Sequence, residues 1–100
     1  MPYIRTTVSK SINPGQRDIL KSKLGNAIAL IPGKSEAWLM LAFEDNMSMY
    51  FKGDNSADYA YVEVSLFGGA SDAAYDRLTA AISEIISETL GIDSSNIYIK

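Results

Sequence analysis

Apolar positions along the chain switch twice between a strand-like and a helix-like period. The segment Tyr3-Ile4-Arg5-Thr6-Thr7-Val8 is rich in β-branched and aromatic residues and predicts a strand, opened by Pro2. Asn13-Pro14-Gly15-Gln16 has the form of a helix start: Asn as cap, Pro at the first helical position, and Gln placed to reach back to the cap. Leu20, Leu24, Ala27, Ile28 and Ile31 then recur at helical spacing as one apolar stripe, and Pro32-Gly33 stops the run. Gly25 within it costs up to about 1 kcal/mol against Ala, which predicts close packing at that point.

Ala37 to Phe43 is a nearly continuous apolar run of strand length, and Met49-Tyr50-Phe51, beyond the Glu44-Asp45-Asn46 turn, predicts a second, shorter strand. Gly53-Asp54-Asn55-Ser56 is a loop by composition, and Tyr59 to Phe67 resumes strand character with partial alternation. After Gly68-Gly69-Ala70, Ser71 caps a second helix, favoured by Asp72 at its positive end. Tyr75, Leu78, Ala81, Ile82, Ile85, Ile86 and Leu90 make its apolar face, Gly91 ends it, and Asn96 to Lys100 reads as a last strand.

Gly33-Lys34-Ser35-Glu36-Ala37 and Gly91-Ile92-Asp93-Ser94-Ser95 place helix stop, polar turn and strand start in the same order. The expected fold is therefore α+β, a single domain over residues 1–100: two βαβ units with pseudo-twofold symmetry, sharing a four-stranded mixed sheet with both helices on one face. The other face is bare. The apolar residues of the Trp38 and Tyr61 strands make its exposure costly, which predicts self-association.

Composition narrows the chemistry. At 100 residues and 47% hydrophobic, the chain can build one thin core. A net charge of −3 with scattered lysines argues against nucleic acid as a partner. With no Cys and no His, disulfides, thiol chemistry, Ser-His-Asp catalysis and the usual zinc sites are excluded, and no metal is expected. Amine, carboxylate, phenol and hydroxyl chemistry remain. Neither a signal peptide nor an apolar run of about 18 residues is readable, so no membrane span is expected. The expected location is the cytoplasm, or outside the cell by a route that needs no leader.

Pro2 is the leading candidate. Methionine aminopeptidase accepts a proline after Met1, and excision leaves a secondary amine as the first atom of the chain. A chain amine titrates at about 7.7–8.0, and burial beside a cation lowers that toward what a general base needs. With Met1 still joined, the same nitrogen is an amide that takes no proton. The plain alternative is that Pro2 opens an edge strand. Lys34, just past a helix stop, either serves the helix dipole or holds an anion. Tyr98 is a core or interface aromatic by default. Tyr59 and Tyr61, and the Met47, Met49, Tyr50, Phe51 cluster, read as packing. Asp72, Asp76 and Glu84 read as a solvated helix face.

Across nearly its whole length the chain resembles the tautomerase superfamily, in its macrophage migration inhibitory factor and D-dopachrome tautomerase branch. The resemblance lies in Pro2-Tyr3-Ile4, Gly33-Lys34, the helix opening Gly68-Gly69-Ala70-Ser71-Asp72-Ala73-Ala74-Tyr75-Asp76-Arg77-Leu78, and the ending Ile92-Asp93-Ser94-Ser95-Asn96-Ile97-Tyr98-Ile99. It implies a homotrimer enclosing a central channel, with a cofactor-independent keto–enol tautomerase pocket at each subunit interface. Pro2 would be the general base acting on an α-keto acid such as a phenylpyruvate. Lys34 would receive the substrate carboxylate, helped by the backbone around Val64, while Tyr98 from a neighbouring subunit, Tyr3 and Trp38 would line the pocket.

The cytokine branch implies an alternative, a protein that binds a cell-surface receptor and keeps the pocket as a vestige. Three departures accompany the resemblance. Lys100 stands where the family has Asn, and the aromatic-bearing segment after the last strand is missing, which predicts a looser trimer and a changed substrate preference. Asp58-Tyr59-Ala60-Tyr61 lacks the Cys-x-x-Cys of the mammalian proteins.

Overall fold

The computed structural model describes residues 1–100. Its elements are β1 (Tyr3–Val8), α1 (Pro14–Ala27), β2 (Met40–Glu44), β3 (Ala60–Ser65), α2 (Asp72–Leu90) and β4 (Ile97–Ile99). They form one four-stranded sheet in the order β2-β1-β3-β4. β1 runs parallel to β2 and β3 parallel to β4, each pair joined by a helix, and the halves meet where β1 and β3 run antiparallel. Two βαβ units thus share one mixed sheet.

The helix ends form for the reasons their sequences give. The Gln16 N–H donates to Asn13 Oδ1 at 2.8 Å while the Asn13 N–H donates to Gln16 Oε1 at 3.1 Å, and Pro14, at the first helical position, has no N–H to satisfy. Ser71 Oγ accepts from the Ala74 N–H at 3.1 Å, and Gly91, at φ 70°, closes α2 in a left-handed conformation that suits glycine. Between sheet and helices lies the core: Ile4 and Val8, Ala60 and Val62, Leu20 and Leu24, and Leu78, Ile82, Ile86 and Leu90, all buried. Burying each Leu or Ile contributes about 1.5–3 kcal/mol. Gly25 is buried under Glu36, whose side chain occupies the space a Cβ would need. No helix is long and apolar enough to cross a membrane.

Three expectations are corrected. First, Trp38 is not in a strand. Glu36–Trp38 forms a turn of 3₁₀ helix, closed by the Leu39 N–H on the Glu36 carbonyl at 3.1 Å, and β2 starts only at Met40, whose N–H reaches the Pro2 carbonyl at 3.0 Å. Second, Met49-Tyr50-Phe51 is not a strand. Asn46, at φ 56°, turns the chain so that its N–H meets the Lys10 carbonyl and that of Met47 meets the Val8 carbonyl. The segment is thereby hooked under the end of β1 instead of lying beside β2. Phe51 pairs only with Asp54, across a tight turn through Lys52 and Gly53 at φ 54° and 75°.

Third, the uncovered sheet face is mixed rather than apolar. In register across it lie Met40, Tyr3 and Ser65, then Ala42, Arg5 and Glu63, then Glu44, Thr7, Tyr61 and Tyr98, so that charged and apolar groups are mixed. Arg5 pairs with Glu44, which holds the guanidinium more firmly protonated. Strand alternation put charge on this face, so water covers much of it without penalty. The exposed apolar groups on and beside this face lie toward its two ends, at Met1, Trp38 and Met40 on one side and at Tyr50 and Tyr98 on the other.

Candidate active site

Pro2 is buried at the entry to β1, fixed by its carbonyl bond to β2. It heads an open, mainly apolar hollow of about 540 Å³, walled by Met1, Tyr3, Ala37, Trp38, Leu39 and Met40. The volume suits a small organic ligand. Trp38 reaches it because the 3₁₀ turn throws the indole outward, 73% exposed.

Lys34 follows Gly33, whose φ of 82° reverses the chain after the first helix, and its N–H donates to the Ile31 carbonyl at 3.0 Å. The half-buried side chain crosses to the other half of the molecule, where Nζ donates to the Phe67 carbonyl at 2.9 Å. It also stands beside the amino terminus. Desolvation, then the Lys34 charge and a hydrogen bond from Lys34, lower the pKa of the terminal amine. With Met1 attached this amine belongs to Met1 and the Pro2 nitrogen is an amide. Excision moves the chain amine one residue inward, to the buried Pro2.

The remaining expected site residues lie elsewhere in the protomer. The Val64 N–H donates to the Lys100 carbonyl at 2.8 Å, so it is spent inside the sheet. Val64 belongs to a different hollow, of about 290 Å³, shared with Leu66, Tyr75, Leu78, Ile99 and Lys100 between the sheet and α2. Tyr98 sits on β4 opposite Tyr61, which is itself opposite Thr7. That is roughly 13 Å along the strands from Tyr3 and a further ~10 Å across them. Its ring is 59% exposed and packs edge-on against Phe51 at 5.3 Å, beside a third hollow lined by Met49, Tyr50, Tyr59 and Tyr61.

One protomer therefore gathers Pro2, Tyr3, Trp38 and Lys34, and leaves Val64 and Tyr98 outside. It adds Ala37, Leu39, Met40 and the Phe67 carbonyl, which sequence reasoning missed. Met40 was within reach of it, since a parallel βαβ unit sets the start of its second strand beside the start of its first, and Tyr3 pairs with Met40. No group of acidic side chains is placed to hold a metal ion.

Neither a family model nor a curated protein matches the chain. Solved structures do. The structure of Leishmania major MIF2 is 31% identical, with a TM-score of 0.90, and the match covers 99% of this chain and 84% of that one. Pt0534 inactivated by 2-oxo-3-pentynoate superposes with a TM-score of 0.87 at 17% identity, over 98% of this chain and 82% of that one. A fused 4-OT, a symmetric trimer, gives 0.85 at 19% identity, over 97% and 80%. The last two bear on the fold alone.

Proposed function

Because the chain belongs to the macrophage migration inhibitory factor family of the tautomerase superfamily, we propose that, once Met1 is removed, it is a cofactor-independent keto–enol tautomerase of phenylpyruvate-like α-keto acids with Pro2 as general base. The observation that carries this is Lys34 beside the amino terminus, next to an apolar hollow headed by Pro2. Lys34 holds the substrate carboxylate as a point charge. The same charge lowers the pKa of a neighbouring chain amine, which favours its unprotonated form. The Pro2 amine then takes the proton from the enol oxygen and delivers it to the carbon next to the forming carbonyl carbon, or runs the transfer in reverse, without redox change. Tyr3 and Trp38 supply apolar walls for the substrate ring. With the Val64 amide bonded to Lys100, the anion rests chiefly on Lys34.

The 2-oxo acid that inactivates Pt0534 is of the same substrate class. A homotrimer, the state of the fused 4-OT, would bring Tyr98 of one subunit to the Pro2 hollow of the next. Enol phenylpyruvate consumption by processed and Met1-retaining protein, each checked by mass, tests the proposal. The processed form turns over and the retained form does not. General acid–base assistance is worth about 10²–10⁴-fold, so Pro2→Ala, which keeps a primary amine, is crippled without being dead. Equal rates from processed and unprocessed protein would remove Pro2 as the base, and no turnover by either would leave the receptor-binding alternative.

A further inference from the structure

We propose that Tyr75 is a positioning residue for Lys34, holding the carbonyl that aims the ammonium group at the amino terminus. This rests on the reading of Lys34 as the carboxylate holder. Lys34 Nζ donates to the Phe67 carbonyl at 2.9 Å, a backbone acceptor in the loop between β3 and α2. The Phe67 ring gives that loop no anchor, being 82% exposed. Gly68, at φ 86°, gives it a turn that favours glycine but no bond. Leu66 and Ala70 pack against the core at its two ends, and the hydrogen bond that ties the loop to α2 is made by the Tyr75 hydroxyl, which accepts from the Ala70 N–H at 2.9 Å.

Tyr75 is itself firmly placed. Its backbone N–H donates to the Ser71 carbonyl at 3.1 Å in the first turn of α2, and its partly exposed side chain lines the hollow beside Val64, Leu66 and Leu78. A rigid helix start thus reaches Lys34 through one hydroxyl, one short loop and one carbonyl. Without the hydroxyl, the Ala70 N–H turns to water and the loop loses its register, while the ring keeps its packing. Lys34 then samples positions away from the amino terminus.

The test is Tyr75→Phe in the processed protein, alone and combined with Lys34→Ala. KM for phenylpyruvate rises about three- to tenfold, in keeping with one modest hydrogen bond, while kcat stays within about twofold. The activity limb set by the terminal amine moves to higher pH, and direct pH titration of that amine shows the same rise. In the Lys34→Ala background, Tyr75→Phe adds nothing further. Gly68→Ala is the second variant. A Cβ there meets no atom, so only the loop backbone is strained, and it reproduces the KM effect. A wild-type KM and an unshifted amine in Tyr75→Phe, or effects that simply add to those of Lys34→Ala, would overturn the proposal. If Lys34→Ala alone leaves KM unchanged, the site reading fails separately, and the amine titration still decides whether Tyr75 positions Lys34.

Discussion

Replacing Lys34 with alanine should separate substrate binding from base strength. An ammonium has three donors. One is spent on the Phe67 carbonyl at 2.9 Å, which leaves donors free for a substrate carboxylate. A charge-assisted hydrogen bond is worth about 1.5–3 kcal/mol, and a half-buried cation belongs in the lower part of that range. At about 1.5–2 kcal/mol, KM for phenylpyruvate rises about 10–30-fold. Phenylacetone, which has the ring and ketone without the carboxylate, should lose nothing in deuterium exchange at its methylene. The pH profile moves as well. The amine works unprotonated, so activity rises with pH through its pKa. Lys34 lowers that pKa and its removal raises it, shifting the rising limb to higher pH. Equal losses on the acid and the neutral ketone would refute the assignment, as would an unchanged profile and KM. The anion would then be held elsewhere, with Lys100 and Arg5 the next candidates.

The buried Thr6 hydroxyl has no hydrogen-bond partner, and an orphaned polar group costs about 1–3 kcal/mol, so Thr6→Val should raise the urea midpoint; a lower midpoint would mean the hydroxyl is satisfied. Asp93 is held below the ordinary carboxylate range by hydrogen bonds from the Ser95 backbone and side chain, and Asp54 likewise by Ser56. Their stabilisation is complete above the unfolded pKa of about 3.9 and is lost as pH falls through the lower folded values. Asp93→Asn should therefore flatten the acid limb of stability in urea unfolding between about pH 2 and pH 5. If each site combines Pro2 and Tyr98 from different subunits, mixing crippled Pro2→Ala protomers with Tyr98→Ala protomers should restore activity above that of either alone, and sedimentation should show no monomer at micromolar concentration.

Both helices were legible in the sequence because their ends are written in short-range chemistry. Asn13 with Gln16, Ser71 and Gly91 each act within a few residues of themselves. The segment from Ala37 to Phe43 was not legible in the same way. A continuous apolar run has no period that separates a strand from a turn followed by a strand, and what decides is distant: Glu36 folding over Gly25 and Pro2 pairing with Met40. Met49 to Phe51 failed for a related reason, since the turn at Asn46 is set by bonds to Lys10 and Val8. Pro2 and Lys34 could be named as candidates because a proline after Met1 and a lysine past a helix stop are visible in the sequence. The carbonyl of Phe67, which aims Lys34, leaves no trace in side-chain identity.

The mixed face changes the reason for assembly. Had the uncovered sheet face been apolar, its burial would have driven association on its own. It carries Arg5 and Glu44 as a pair with Glu63 nearby, so burying it would require desolvating charges, which returns little. If the chain assembles, the driving force comes chiefly from apolar groups toward the ends of the sheet, where the protomer exposes Trp38 and Met40 beside Pro2, and Tyr50 and Tyr98 at the far side. These two patches are incomplete in complementary ways. One has Pro2 and, nearby, Lys34 beside an open hollow, and the other has aromatic rings and no cation lining it. A ring of subunits joining one patch to the other buries both and leaves the charged face to line a wet interior. In such an assembly the contacts that hold the subunits together are the ones that close the site, so dilution to monomers should abolish activity even though each chain keeps Pro2 and Lys34.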